Sequence, residues 1–371
     1  MRIFDTAAQE IVDLAATGSV KMYTCGITPY DSAHVGHAAV YVTFDLLQRH
    51  LRRHGFSTSC VRNVTDVDDD ILRKAREIGA NYLDLAAYEI ARFDADMTRL
   101  GLMKPDSEPR ATSAIADILA MVGELVDSGY AYVVDGWVFF DVTTVKDFGK
   151  VSHLSREEMI ELARERGGNP DDPRRRDPLD FVLWQPSLAD EPSWASRYGD
   201  GRPGWHIECS ALAMRELGTV VDIHGGGSDL IFPHHECEAA QTEAITGHDF
   251  VRHWMHVGMV RLDGVKMSKS LGNLVFVRDL LEEYSGDEVR LAIMSNHYRS
   301  SWDWNDHLLG EARERLARWR AGGRGSAAVA EVDKALDNDL DAPAAIAAID
   351  SYAAAGAGVS EAAALLGLDV A

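Results

Sequence analysis

Positive charge is scarce in this 371-residue chain, where 37 Lys and Arg stand against 59 Asp and Glu for a formal net charge of −22. Non-specific grip on a phosphate backbone comes mostly from Lys and Arg displacing counterions, so this balance opposes unaided wrapping of tRNA or DNA. Long apolar runs are also missing. No stretch approaches the ~18 consecutive apolar residues of a membrane span. Met1 to Gln9 has neither the apolar core nor the small-residue cleavage site of a secretory leader. A cytoplasmic protein without a membrane partner is expected. Cysteine is sparse too: Cys25, Cys60, Cys209 and Cys237 are widely spaced, with no CxxC pair. In a reducing compartment they read as thiols, ligands or core fillers, and any metal site must be assembled by the fold.

The rest is ordinary globular composition, 46% apolar, with length for two or three domains. Val20 to Cys25 reads as a strand, 27–36 as a turn-rich loop and His37 to His54 as a helix. Phe56 to Val64 is the next strand, and Thr65-Asp66 is expected to cap a helix through Ile78. This order indicates a βαβ unit and a parallel sheet. Residues 81–127 are helical with a break near 104–109, and Asp135-Gly136 between apolar runs predicts a hairpin. The parallel pattern resumes with a helix at Trp205 to Leu217, a strand at Val220 to His224, a helix from Pro233 to Thr246 and a strand from Trp254 to Arg261. Glu311 to Arg320 reads as a charged helix, followed by an Ala-rich helical tail. The expected fold is α/β: a doubly wound sheet in two halves (1–80 and 179–305), an inserted α+β region (81–178) and a C-terminal helical domain (306–371).

His34-Val35-Gly36-His37 opens the first long helix, where unpaired N–H groups suit an anionic phosphate and Gly36 would let a purine or ribose approach the backbone. Far downstream Lys266-Met267-Ser268-Lys269-Ser270 is expected in a loop after the last strand, with two lysines to meet charge developing on a phosphate. The pair, in this order and on these elements, resembles the two signatures of class I aminoacyl-tRNA synthetases, which implies a nucleotide-binding sheet with ATP at its strand ends. His34, His37, Lys266 and Lys269 match the ATP-handling positions.

A third constellation joins Cys25, Cys209 and the segment Pro233-His234-His235-Glu236-Cys237-Glu238. Two thiolates, an imidazole and a carboxylate form a zinc set, and His234 faces the same way as Glu238 at i+4; by spacing alone Cys237 could take Glu238's place. The resemblance to cysteinyl-tRNA synthetases is detailed: Asn63 to Asp69 (NVTDVDD), Arg202 to Ser210 (RPGWHIECS) and Gly225 to Leu230 (GGGSDL) all match. In that family zinc takes the substrate thiolate directly, a serine hydroxyl being a far poorer ligand. Within this superfamily the chain is most similar to the mycothiol-pathway cysteine:glucosaminyl-inositol ligases, by CGITPYDSAHVGHA at 25–38, ERGGNP at 165–170, and an ending 21 residues after the Leu336 to Asp350 segment, where an anticodon-reading module would otherwise follow.

The resemblance implies zinc on Cys25, Cys209 and His234, with Glu238 as a synthetase-like fourth ligand. It implies a cysteinyl-adenylate pocket at Cys25, Gly26, Ile27, Thr28, Val40, Asn63, Val64, Thr65, Trp205, Gly227, Ser228, Asp229 and Val260. Val40 stands where the ligases generally carry Thr. The implied substrates are L-cysteine, ATP with Mg2+, and glucosaminyl-inositol, with tRNA disfavoured. A minimal cysteinyl-tRNA synthetase, a ligase for another amine, and a zinc-binding regulator without activity are the rival readings.

Overall fold

The computed structural model describes residues 1–14, 18–267 and 271–371. Its centre is a four-stranded parallel sheet, ordered Val251–Val257, Val221–Gly227, Ser19–Ile27, Ser57–Val64. Alternate side chains of these strands enter two separate cores, as the two-residue period of a strand dictates. Val20, Met22, Cys60, Ile223 and Met255 join one core. Tyr23, Cys25, Val61 and Trp254 join the other. Both faces are therefore covered, which is why the strands read as nearly continuous apolar runs.

The first core holds the helix Val35–Arg53, the helix Gly286–Met294 and the C-terminal helices His307–Ala321, Val329–Asp337, Ala342–Ala354 and Ser360–Leu365. An ion pair from Arg53 to Asp333 at 2.7 Å and a hydrogen bond between His50 Nε2 and Asp337 Oδ1 at 2.8 Å reinforce this packing. The second core holds Trp205–Leu217, Glu236–Thr246 and Ile115–Asp127. Strands Ser19–Ile27 and Val221–Gly227 are neighbours in mid-sheet, and the chain leaves them toward opposite edges. Such a switch point opens a crevice at the carboxyl ends of the strands.

Several elements differ from expectation for local reasons. A hairpin, Arg2–Asp5 with Glu10–Asp13, precedes the first sheet strand. The helix expected to be capped at Thr65-Asp66 begins at Asp69, capped by Asp68 through Ile71 N–H at 2.9 Å. Asp66 instead accepts from the Thr112 N–H and hydroxyl. The helix expected from Pro233 starts at Glu236, after a wide turn at Ile231–His235. The strand expected to run on to Arg261 ends at Val257: a Cβ at Gly258 would lie 2.3 Å from the Ser300 carbonyl oxygen. Val260–Leu262 then joins a small second sheet with Val265–Lys266 and Trp302–Trp304, so Lys266 sits on a short strand and not in a loop. The inserted sheet also reaches beyond 178, since Phe181–Pro186 and Gly201–Pro203 pair onto the hairpin Ala131–Val134 and Trp137–Phe140. Among the described residues no helix is long and apolar enough to cross a membrane.

Candidate active site

The strand ends open into a cleft of about 900 Å3. Beneath it, one ligand atom from each of Cys25, Cys209, His234 and Glu238 lies within 4.8 Å of all the others. Four elements supply them. Cys25 sits where Ser19–Ile27 shifts register against Ser57–Val64, so that the ladder breaks between Thr24 and Ile27. Cys209 projects from Trp205–Leu217, and His234 and Glu238 come from the turn and helix beyond Val221–Gly227. His234 Nε2 is 3.3 Å from Cys209 Sγ and 3.1 Å from Glu238 Oε1. Cys25 Sγ is 3.7 Å from Glu238 Oε1. Cys237, which spacing left as an alternative, lines the cleft outside this group.

All four side chains are buried. Burial pushes the Cys25 thiol and the Glu238 carboxyl up and holds His234 down as a neutral imidazole. Among the described residues Glu238 Oε2 has no hydrogen-bond partner. Two thiols and a carboxyl gathered out of water lack a compensating charge, and a divalent ion of zinc type with these soft and borderline donors fits that gap.

Sequence reasoning missed the histidines behind this set. His224 and His235 form a second overlapping group with Cys25 and Glu238. His206 Nδ1 is 2.8 Å from His234 Nδ1, and His235 Nδ1 is 2.7 Å from His256 Nε2, whose other nitrogen is 2.7 Å from the Thr6 hydroxyl. Burial lowers His206, His224 and His256 to about 3, so all three are neutral. Neutral imidazoles behind a ligand histidine orient its ring. Their signal was positional, since His224 and His256 lie on neighbouring strands that run into the same crevice.

At the rim, His34 caps the helix Val35–Arg53. Its Nδ1 accepts from Gly36 N–H at 3.1 Å, and its own N–H donates to His37 Nδ1 at 3.4 Å. Gly36 lines the cleft and also makes room for the His34 ring, which lies 2.8 Å from where a Cβ would stand. The start of this helix is tied through the backbone to the segment that follows the second signature: Val35 N–H donates to Val275 O and Val277 N–H to Ala33 O. Lys266 lines the cleft with its Nζ 3.2 Å from Asp229 Oδ2. Lys269 lies outside the described residues.

Of the implied adenylate residues, Cys25, Gly26, Ile27, Thr28, Val40, Trp205, Gly227, Asp229 and Val260 line the cleft, whereas Asn63, Val64, Thr65 and Ser228 do not. Trp205, 38% exposed, stacks on His234 at 4.1 Å between ring centres and so connects the cleft to the donor cluster. Asn63 works from behind, accepting from Gly26 N–H at 2.8 Å and donating to the Thr65 hydroxyl at 3.1 Å.

Residues 11–314 match the family model described as the tRNA synthetases class I (C) catalytic domain. A Salinispora tropica protein named L-cysteine:1D-myo-inositol 2-amino-2-deoxy-alpha-D-glucopyranoside ligase is 48% identical over 367 residues, which cover 96% of this chain and 91% of that one. One of the same name from Streptomyces griseus is 49% identical over 363 residues, covering 95% and 89%. The chain belongs to this ligase family. Among solved structures, Mycobacterium tuberculosis methionyl-tRNA synthetase in complex with methionyl-adenylate superposes with a TM-score of 0.68 at 16% identity, covering 95% of this chain and 88% of that one. Thermus thermophilus arginyl-tRNA synthetase gives 0.61 at 11%, covering 96% and 82%. At such identities the likeness is one of fold, and it is the class I synthetase fold that the signatures implied. In this ligase-family member the ERGGNP segment ties the insertion to the cleft wall, because Arg166 donates to the carbonyl oxygens of Asp229 and Phe232.

Proposed function

We propose that the chain is an ATP-dependent ligase that activates L-cysteine as cysteinyl-AMP and transfers it to the amine of glucosaminyl-inositol, giving the amide Cys-GlcN-Ins. One observation carries the reading: a buried Cys25, Cys209, His234 and Glu238 set lies directly under a cleft whose rim holds His34, His37 and Lys266. Those four residues would hold zinc, which when bound supplies a soft cation for a substrate thiolate and little for a serine hydroxyl.

In the first step a cysteine carboxylate oxygen attacks the α-phosphate of ATP, brought in with Mg2+, and pyrophosphate leaves. His37 and Lys266 face the developing phosphate charge, and Lys269 is assigned the same role. Thr28, Gly227 and Asp229, with Trp205 across the cleft, position the aminoacyl end. In the second step the amine attacks the activated carbonyl and AMP leaves; holding both reactants in one cleft makes this step effectively unimolecular. A reducing, cytoplasmic setting suits four free, buried thiols.

The deciding experiment supplies the purified enzyme with cysteine, ATP and Mg2+, then glucosaminyl-inositol or tRNA, and follows the acceptor by mass spectrometry. The amide is the expected product. Acylated tRNA without amide would assign the chain to the synthetase reading.

A further inference from the structure

The acceptor reading above leaves the amine without a proton acceptor, and the cleft offers one. At about 900 Å3 it is near the top of the range for small-molecule sites, roughly 300 to 1,000 Å3, which suits two reactants held together. Thr28, Tyr30 and Asp68 to Asp70 form part of its wall. The three carboxylates are differently engaged. Asp69 is paired with Arg202, and Asp70 with Arg73 at 2.7 Å and the Tyr30 hydroxyl at 3.2 Å. Asp68 has no ion-pair partner among the described residues. Its Oδ1 accepts from Ile71 N–H at 2.9 Å and its Oδ2 from the Thr28 hydroxyl at 3.0 Å, so the carboxylate is fixed in place beside a residue of the implied adenylate pocket with its charge uncompensated.

We propose that Asp68 is the catalytic base of the amide step, in a subsite for a primary amine carried on a polyol. The neutral amine nitrogen forms its bond to the carbonyl carbon of cysteinyl-AMP. The bond from that carbon to the phosphate oxygen breaks, with its electron pair leaving on AMP. One N–H hydrogen stays on the amide and the other passes to Asp68, which returns it to solvent. Burial, with Asp70 and Asp69 alongside, raises the Asp68 carboxyl to about 6, a value suited to proton transfer near neutral pH. The groups that face it are Asp69 and Asp70 on its own helix, Thr28 and Tyr30 from the first loop, and buried Glu208 from the helix Trp205–Leu217.

Asp68→Asn is the test, because Asn also caps helices and its amide can still meet the Thr28 hydroxyl. In single turnovers from enzyme-bound cysteinyl-AMP, capture by glucosaminyl-inositol should fall about 100-fold, the low end of what a positioned base contributes. Capture by hydroxylamine, which attacks without help from a base, should stay within about threefold, as should cysteine-dependent pyrophosphate exchange. Asp68→Glu should restore part of the amide rate, and the wild-type amide rate should fall on the acid side as Asp68 protonates. Equal loss with both nucleophiles, or an unchanged amide rate in Asp68→Asn, overturns the assignment. A wild-type enzyme that exchanges pyrophosphate but never acylates the amino sugar fails the acceptor reading itself, and this inference falls with it.

Discussion

Beneath the cleft, Cys209, His234 and Glu238 are shut away from solvent, whereas at its rim Lys266 leaves about half of its side chain exposed. The floor is assembled before any substrate arrives: its donor side chains come from four elements around one apolar core, and neutral histidines support them from behind. The rim is only partly organised by packing. His34 and His37 hold each other at a helix start, while among the described residues Lys266 forms one ion pair, to Asp229. On the proposed function, selection of the substrate would fall to a rigid, dehydrated site, and charge stabilisation to groups that can follow a reacting phosphate.

The largest effect should come from breaking the floor. Cys209→Ala, or stripping metal with a strong chelator, should reduce cysteine-dependent pyrophosphate exchange by more than the ~10- to 100-fold that outer-shell changes cost. Metal content measured alongside should fall with it, and full exchange by a metal-free protein would show that the floor does not select the thiol. At the rim, Lys266→Ala should lower kcat for adenylate formation by about 100-fold with little change in the KM for cysteine. A rise in that KM instead would mean that rim and floor are not separate in function. Behind the floor, His206→Ala removes the imidazole 2.8 Å from His234 Nδ1. It should weaken zinc binding by about 10-fold while leaving saturated activity nearly intact, as competition with a zinc-sensitive dye can read.

The same contrast governs how much was legible in the sequence. Cys209 and Glu238 could be placed because they ride on regular elements; the helix Trp205–Leu217 was read with both its ends. The hairpin around Asp135-Gly136 and the parallel βαβ order were equally plain, since turn chemistry and apolar period are local. What escaped was set by contacts far apart in sequence. The end of the strand at Val257 depends on the Ser300 carbonyl lying against Gly258. The cap at Asp68 prevails over Asp66 because Thr112, from the insertion, engages Asp66. His224, His235 and His256 were each unremarkable in sequence and became a group only when adjacent parallel strands brought them to one crevice.

Asn63 gives the finest test of where the wall between the two regions lies. The family resemblance puts it among the adenylate contacts, yet it is buried and absent from the cleft surface. Its neighbourhood supplies another reason for an amide there. The ladder between Ser19–Ile27 and Ser57–Val64 breaks between Thr24 and Ile27, and the Asn63 side chain takes up the Gly26 N–H beside that break. A backbone donor left without an acceptor costs about 1 to 3 kcal/mol when buried, and Gly26 is only part-buried, so Asn63→Ala should cost near the lower figure, about 1 kcal/mol. The loss should appear as a lower Tm, with the KM for cysteine raised a few-fold through slight movement of Cys25 and with kcat kept. A variant of wild-type Tm whose kcat for adenylate formation fell about 10-fold or more would place Asn63 against the reacting ligand, and the boundary between floor and rim would have to be redrawn to include it.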